Sequence, residues 1–185
     1  MLKIQNNNLL ELYNSWKNRT RPSTRWKMTG DITGRMDWLV ETFTGVDSIT
    51  EFGPFQGCST SAWLACGPKK IVTVDVNINL DIEQYTKIAN ELGIDFKFIH
   101  SSDLDIDIEE TDLLFIDTMH TEEHTFLELD KHAGKVKKYL AFHDVNPVRF
   151  GTQAGIDRYL SNNPNQWKVL YHDINDCGFL VLERI

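Results

Sequence analysis

Cysteine is scarce in this 185-residue sequence: Cys58, Cys66 and Cys177 are the only three. An odd number without CxxC spacing gives neither a disulfide framework nor a cysteine-based zinc site, so reduced thiols are expected. Long apolar runs are missing too. No stretch approaches the ~20 residues that span a bilayer, and the opening MLKIQNNNLLELYNSWKNR has no uninterrupted apolar core of the kind a secretory leader needs. The expectation is a soluble, cytoplasmic protein with no membrane partner. Positive charge is in deficit: 19 Lys and Arg against 27 Asp and Glu leave a net charge of −8. That argues against a nucleic-acid partner, because affinity for the phosphate backbone comes from clustered Lys and Arg. Repeats and low-complexity tracts are absent as well. What remains is a chain 41% hydrophobic, sufficient for one domain with a full-sized core. Its expected partner is a small molecule.

Residues 1–34 stand apart. An amphipathic helix carrying Leu9, Leu10, Tyr13 and Trp16 precedes a polar stretch with Arg19, Arg21, Arg25 and Lys27. That stretch reads either as a lid or anion-contacting loop, or as a solvated connection. The segment as a whole is expected to be a cap or a contact between copies of the chain, ahead of a domain over 35–185. From there helix-period and short apolar segments alternate. Met36, Leu39, Val40 and Phe43 mark a helix, Ser48–Phe52 a strand, Ser59–Cys66 a helix closed by Gly67 and Pro68. KIVTVDV, DFKFIHS, TDLLFID and YLAFHDV read as four more strands, and QWKVLYHD with GFLVLERI as a terminal antiparallel hairpin. The expected fold is α/β: a doubly wound, Rossmann-like, mostly parallel seven-stranded sheet with helices on both faces and an antiparallel C-terminal edge strand.

In such sheets ligands bind at the carboxyl ends of the strands. Here every parallel strand ends in polar or acidic groups: Glu51-Phe-Gly53-Pro-Phe-Gln-Gly57, Asp75, Ser101-Ser102-Asp103, Asp117-Thr-Met-His120 and His143-Asp144. Asp and Asn are common turn residues, but five such ends in register argue for a site. An acid closing the second strand, as Asp75 does, suits the two hydroxyls of a ribose. The pyrophosphate fingerprint G-x-G-x-x-G would need glycine where Phe55 stands, so a phosphate cradle is disfavoured.

The ordered set E-x-G-x-x-x-G-x-S-T, Asp75, "FID" and "FHD" resembles the class I S-adenosylmethionine-dependent methyltransferases over about residues 35–185. It is most similar to the small metal-dependent O-methyltransferases of the catechol and macrolide-sugar types. The resemblance implies S-adenosylmethionine as cofactor and a hydroxyl of a small molecule or sugar as acceptor. It places Gly53 and Gly57 in the turn against the methionine end, with Glu51 orienting that loop or contacting the ammonium group. It sets Asp75 at the ribose and Ser102 and Asp103 by the adenine. Asp117, His143 and Asp144 would hold a divalent metal, magnesium or manganese, with Asp117 and His120 as the catalytic pair and His120 as base. One departure stands out: the macrolide-sugar enzymes carry two adjacent acids where this chain has His143-Asp144, and imidazole is a poorer ligand for magnesium than for manganese, iron or zinc.

Bland readings compete at several positions. Glu51 and Asp103 also suit turn-capping acids, His120 a solvated turn residue, and His124, one helical turn after His120, either lines the same face or, as the favoured reading, stands exposed on its helix. His100, His132 and His172 read as structural, and Asn146 as an acceptor contact only through its place after the fifth strand. Two other functional classes stay open: an NAD-dependent oxidoreductase on a Rossmann-like sheet, for which Asp75 is equally apt, and a non-catalytic nucleoside-binding protein.

Overall fold

The computed structural model describes residues 4–18 and 32–185. Arg19, Arg21, Arg25 and Lys27, and with them the lid reading, lie outside the described residues. Seven strands form one sheet: β1 (Ser48–Phe52), β2 (Lys70–Asp75), β3 (Asp95–His100), β4 (Thr111–Ile116), β5 (Val136–His143), β6 (Trp167–Asp173) and β7 (Phe179–Arg184). Their order is β3-β2-β1-β4-β5-β7-β6. The pairs among β1 to β5 are parallel, whereas β7 runs antiparallel to both β5 and β6.

The doubly wound sheet agrees with the sequence pattern, with one difference of placement. The antiparallel C-terminal strand lies one position in from the edge. Phe179, Leu180, Val181 and Leu182 are consecutive, apolar and all buried, and such a run needs cover on both faces. Strand β6 leaves Lys168, Val169 and Leu170 exposed and takes the edge, where a lysine discourages pairing with a further strand.

Helices α1 (Asn7–Lys17), α2 (Met36–Phe43), α3 (Cys58–Cys66) and α4 (Ile82–Leu92) cover one face, and α5 (Glu122–His132) with α6 (Thr152–Asn162) the other. Alternation along β4 divides the core: Leu113 and Phe115 join the α1–α4 side, Leu114 and Ile116 the α5–α6 side. Both sides are apolar, which is why β4 is buried throughout. Among the described residues no helix is long and apolar enough to cross a membrane.

Helix α1, expected in a cap, packs into the core through Leu9, Leu12 and Tyr13. Its Trp16 Nε1 donates to Tyr85 Oη at 3.0 Å, and Tyr85 in turn donates to the carbonyl of Gly57 at 2.7 Å. The N-terminal helix therefore supports the turn after β1 from within the helical layer.

Candidate active site

The turn after β1 is built around three left-handed residues: Gly53 at φ 79°, Phe55 at 47° and Gly57 at 98°. At Gly53 the requirement is also steric. Its N–H reaches the carbonyl of Val74 at 3.0 Å, and a Cβ there would stand 2.1 Å from the carbonyl oxygen of Asp117. The chain thus threads between the ends of β2 and β4, where the direction of strand order reverses.

Glu51 lies beneath this turn, fully buried, and does not line the cavity above. Its Oε1 accepts from Ser59 Oγ at 2.5 Å and Trp63 Nε1 at 2.9 Å, its Oε2 from Thr60 Oγ1 at 2.7 Å. Burial pushes its carboxyl up to about 7, against the three donors and with help from Asp117. Its place fits orientation of the loop and of α3; with these bonds made, the carboxylate is turned away from any ammonium group in the cavity. Gly57 is likewise absent from the lining and packs against Tyr85 and Leu80.

A cavity of about 800 Å³ opens over the strand ends. One end presents Asp75, Ser102 and Asp103, the other Asp117, His120, His143 and Asp144, with Gly53 between them. Asp75 is held by backbone: its Oδ2 accepts from Phe55 N at 3.3 Å and its Oδ1 from Asn77 N at 2.8 Å. Each oxygen keeps a further lone pair for a ligand hydroxyl.

At the far end the carboxylates converge on imidazoles. His120 Nε2 lies 3.0 Å from Asp117 Oδ1 and 3.0 Å from Asp144 Oδ2. His143 Nδ1 lies 3.3 Å from Asp117 Oδ1. His120 and Asp144 adopt left-handed backbone, φ 50° and 55°, a strained conformation for such residues that clusters at functional sites. Burial opposes charge on His120, yet the two carboxylates outweigh it and push the imidazole up to about 9. Burial likewise opposes charge on Asp117, but His143 and His120 hold its carboxyl well below the usual range. In this arrangement His120 carries a proton at neutral pH and is an acid; a cation neutralising the two aspartates would remove the charges that keep that proton in place.

Among the described residues three sets of donor atoms lie within 4.8 Å of one another: Asp117, His120 and Asp144; His143, Asp144 and Cys177; and Asp103, His124 and Glu128. His120 thus joins the two aspartates in the position where His143 was expected as a ligand. Asp144 Oδ1 is buried with no hydrogen-bond donor upon it, His143 Nδ1 standing off at 3.6 Å. A buried, unmatched carboxylate oxygen is costly, and this set of oxygens and imidazole nitrogens fits a divalent cation, more readily manganese, iron or zinc than magnesium.

Two expectations need correction. His124 is not an exposed helix residue: it lines the cavity, with its Nε2 2.9 Å from Asp103 Oδ2. The reason is that α5 turns this side toward the β3–β4 loop, as its spacing of four from Glu128 would have suggested. Asn146 does not reach the cavity. Its amide donates to the carbonyls of Ile174 and Asp176, both at 2.9 Å, and its Oδ1 accepts from Val148 N, so it clamps two loops together. Cys177, from the β6–β7 turn, and Phe150, whose ring lies edge-on to His120 at 5.3 Å, also line the cavity. Nothing in their sequence context marked them.

No protein-family model and no curated protein matches the chain. Solved structures do. An O-methyltransferase from Bacillus cereus, in complex with SAH, superposes over 100% of this chain and 94% of its own, with a TM-score of 0.64 and 16% identity. The magnesium protoporphyrin IX methyltransferase of Synechocystis, with bound SAM, covers 99% of this chain and 100% of its own at 0.62 and 12%. A ribosomal protein L11 methylase from Lactobacillus delbrueckii covers 90% and 89% at 0.64 and 13%. The chain has the fold of the class I S-adenosylmethionine-dependent methyltransferases.

Proposed function

We propose that the protein is an S-adenosylmethionine-dependent methyltransferase that methylates a hydroxyl of a small molecule or sugar, assisted by a divalent cation. The observation that carries this reading is the single cavity with a backbone-pinned Asp75 at one end and the Asp117–His120–Asp144 cluster at the other. A fold alone does not choose an acceptor: the magnesium protoporphyrin IX methyltransferase and the ribosomal protein L11 methylase above share it and are named for different ones. The cluster supports a hydroxyl, because a neutral hydroxyl is a poor nucleophile and needs its proton removed. A net charge of −8 speaks against a nucleic-acid acceptor.

In this reading Asp75 accepts from the ribose hydroxyls, and the Gly53 turn lets backbone approach the methionine end. Bound there, S-adenosylmethionine would supply a methyl group for in-line transfer to the acceptor oxygen, its sulfur keeping the electron pair of the broken carbon–sulfur bond. Much of the rate comes from holding those atoms together. His120 is placed to take the acceptor's proton. A cation bound by Asp117 and Asp144 would lower the pKa of the acceptor hydroxyl and leave the His120 imidazole free to take its proton.

Two measurements test this. Calorimetric titration with S-adenosylhomocysteine should show micromolar binding, and with NAD none; the reverse result would move the protein to the nicotinamide class. Replacing His120 by alanine should leave the affinity for S-adenosylhomocysteine unchanged while turnover falls on the order of a hundredfold, the lower end for loss of a general base. Wild-type turnover in that variant would dismiss His120 as the proton acceptor.

A further inference from the structure

Helix α5 carries a buried polar stripe that the chemistry above does not use. His124, Glu128 and His132 recur every fourth residue and so share one face. Glu128 and His132 are fully buried. All three address the short loop after β3. His124 Nε2 lies 2.9 Å from Asp103 Oδ2 and 3.6 Å from Glu128 Oε1. His132 Nε2 donates to the carbonyl of Asp103 at 2.9 Å, and the neighbouring Lys131 donates to that of Leu104. On its other side Glu128 Oε1 accepts from Thr118 Oγ1 at 2.8 Å, the residue that follows Asp117.

We propose that this stripe is a positioning device for the cofactor end of the cavity, with Glu128 as the residue that fixes the Asp103 carboxylate and ties it to the β4 end through Thr118. The proposal rests on the methyltransferase reading for what the cavity holds, and on the contacts alone for the grip itself. Apolar residues would fill a helix stripe facing the core at lower cost, since each buried polar group must find its partner. Here each partner belongs to the rim of the cavity.

A carboxylate oxygen of Glu128 lies within 4.8 Å of one of Asp103 and of the His124 imidazole, and no nitrogen or hydroxyl donor reaches its Oε2. Two carboxyls this close share a proton. Burial, then Asp103, raises Glu128 well above the ordinary range. Burial works the same way on Asp103, but the bond from Glu128 and the nearby His124 outweigh it and hold that carboxyl low. Glu128 is therefore the partner that holds the proton beside the Asp103 carboxylate, while its Oε1 accepts from Thr118. A glutamine reproduces both roles, the amide nitrogen donating and the oxygen accepting. Leucine, of similar volume, reproduces neither.

The test compares Glu128→Gln, Glu128→Leu and the wild-type chain, each confirmed folded by circular dichroism. Glu128→Leu should weaken S-adenosylhomocysteine binding by about tenfold, the effect of stranding a buried polar partner, and should speed amide exchange across residues 101–106. Glu128→Gln should match the wild type in both. Equal affinity and equal exchange in all three proteins would overturn the proposal, and so would a glutamine variant as impaired as the leucine one. If Glu128→Leu does not fold, Thr118→Val takes its place, and unchanged affinity and exchange there would sink the link to β4. Should the wild type bind no S-adenosylhomocysteine, the methyltransferase reading fails, and the exchange comparison still decides whether the stripe holds the loop.

Discussion

Replacing Gly53 by alanine is expected to cost about 4 kcal/mol of folding stability, the sum of an overpacking penalty and a left-handed backbone strain of ~1–2 kcal/mol. The added Cβ would stand 2.1 Å from the carbonyl oxygen of Asp117. That neighbour is main chain, hydrogen-bonded from its own N–H to Phe52 O at 3.0 Å, so no side chain can swing aside. Relief requires the ends of β1 and β4 to part, which also moves Asp117 and opens the cavity floor. Gly93 supplies the control. It has φ 72° but nothing within 4 Å of its Cβ position, so Gly93→Ala should cost only ~1 kcal/mol of strain. Urea unfolding of both variants separates the terms. Equal losses would mean that the turn yields easily and that Gly53 is there for its dihedral angle alone.

This contrast shows what the sequence does and does not reveal. The glycine pattern, the acid closing β2 and the apolar strands are local features, and they led to the fold and to most of the cavity rim: Gly53, Asp75, Ser102, Asp103, Asp117, His120, His143 and Asp144 all line one cavity. Sequence could not tell which strand-end acids face the cavity and which face away. Glu51 ends β1 as Asp117 ends β4, yet β1's alternation turns Glu51 down among Ser59, Thr60 and Trp63. Nor could it reveal His120 held between two carboxylates from different loops, since that depends on the left-handed backbone at His120 and Asp144. The insertion of β7 between β5 and β6 was legible in principle, because a strand with four consecutive apolar residues does not belong at an edge. Cys177 and Phe150 reach the cavity only through long-range packing of loops, which carries no local signature.

The second large effect is expected at Glu51. Its carboxyl is raised from an ordinary 4.5 to about 7 in the folded protein. A folded-state pKa above the unfolded one means that folding takes up a proton. The stability tied to this group is thus fully present below pH 4.5 and lost as pH rises through about 7. The loss amounts to roughly 3 kcal/mol by the usual conversion of pKa shift to free energy. Glu51→Gln removes the charge and keeps the partners: the amide oxygen accepts from Ser59 and Trp63, and the amide nitrogen donates to a rotated Thr60 hydroxyl. Its unfolding free energy should stay flatter than the wild type's between pH 5 and 8 and exceed it at the upper end. Glu51→Ala leaves three buried donors without an acceptor and a void beside Trp63, and should lose about 4 kcal/mol at pH 5, where the wild-type carboxyl is mostly protonated. Denaturant melts of the three proteins across that range decide it. Parallel curves for wild type and glutamine would mean that Glu51 is ionised throughout, its three donors outweighing burial, and that the floor under the glycine turn is an anion at every working pH.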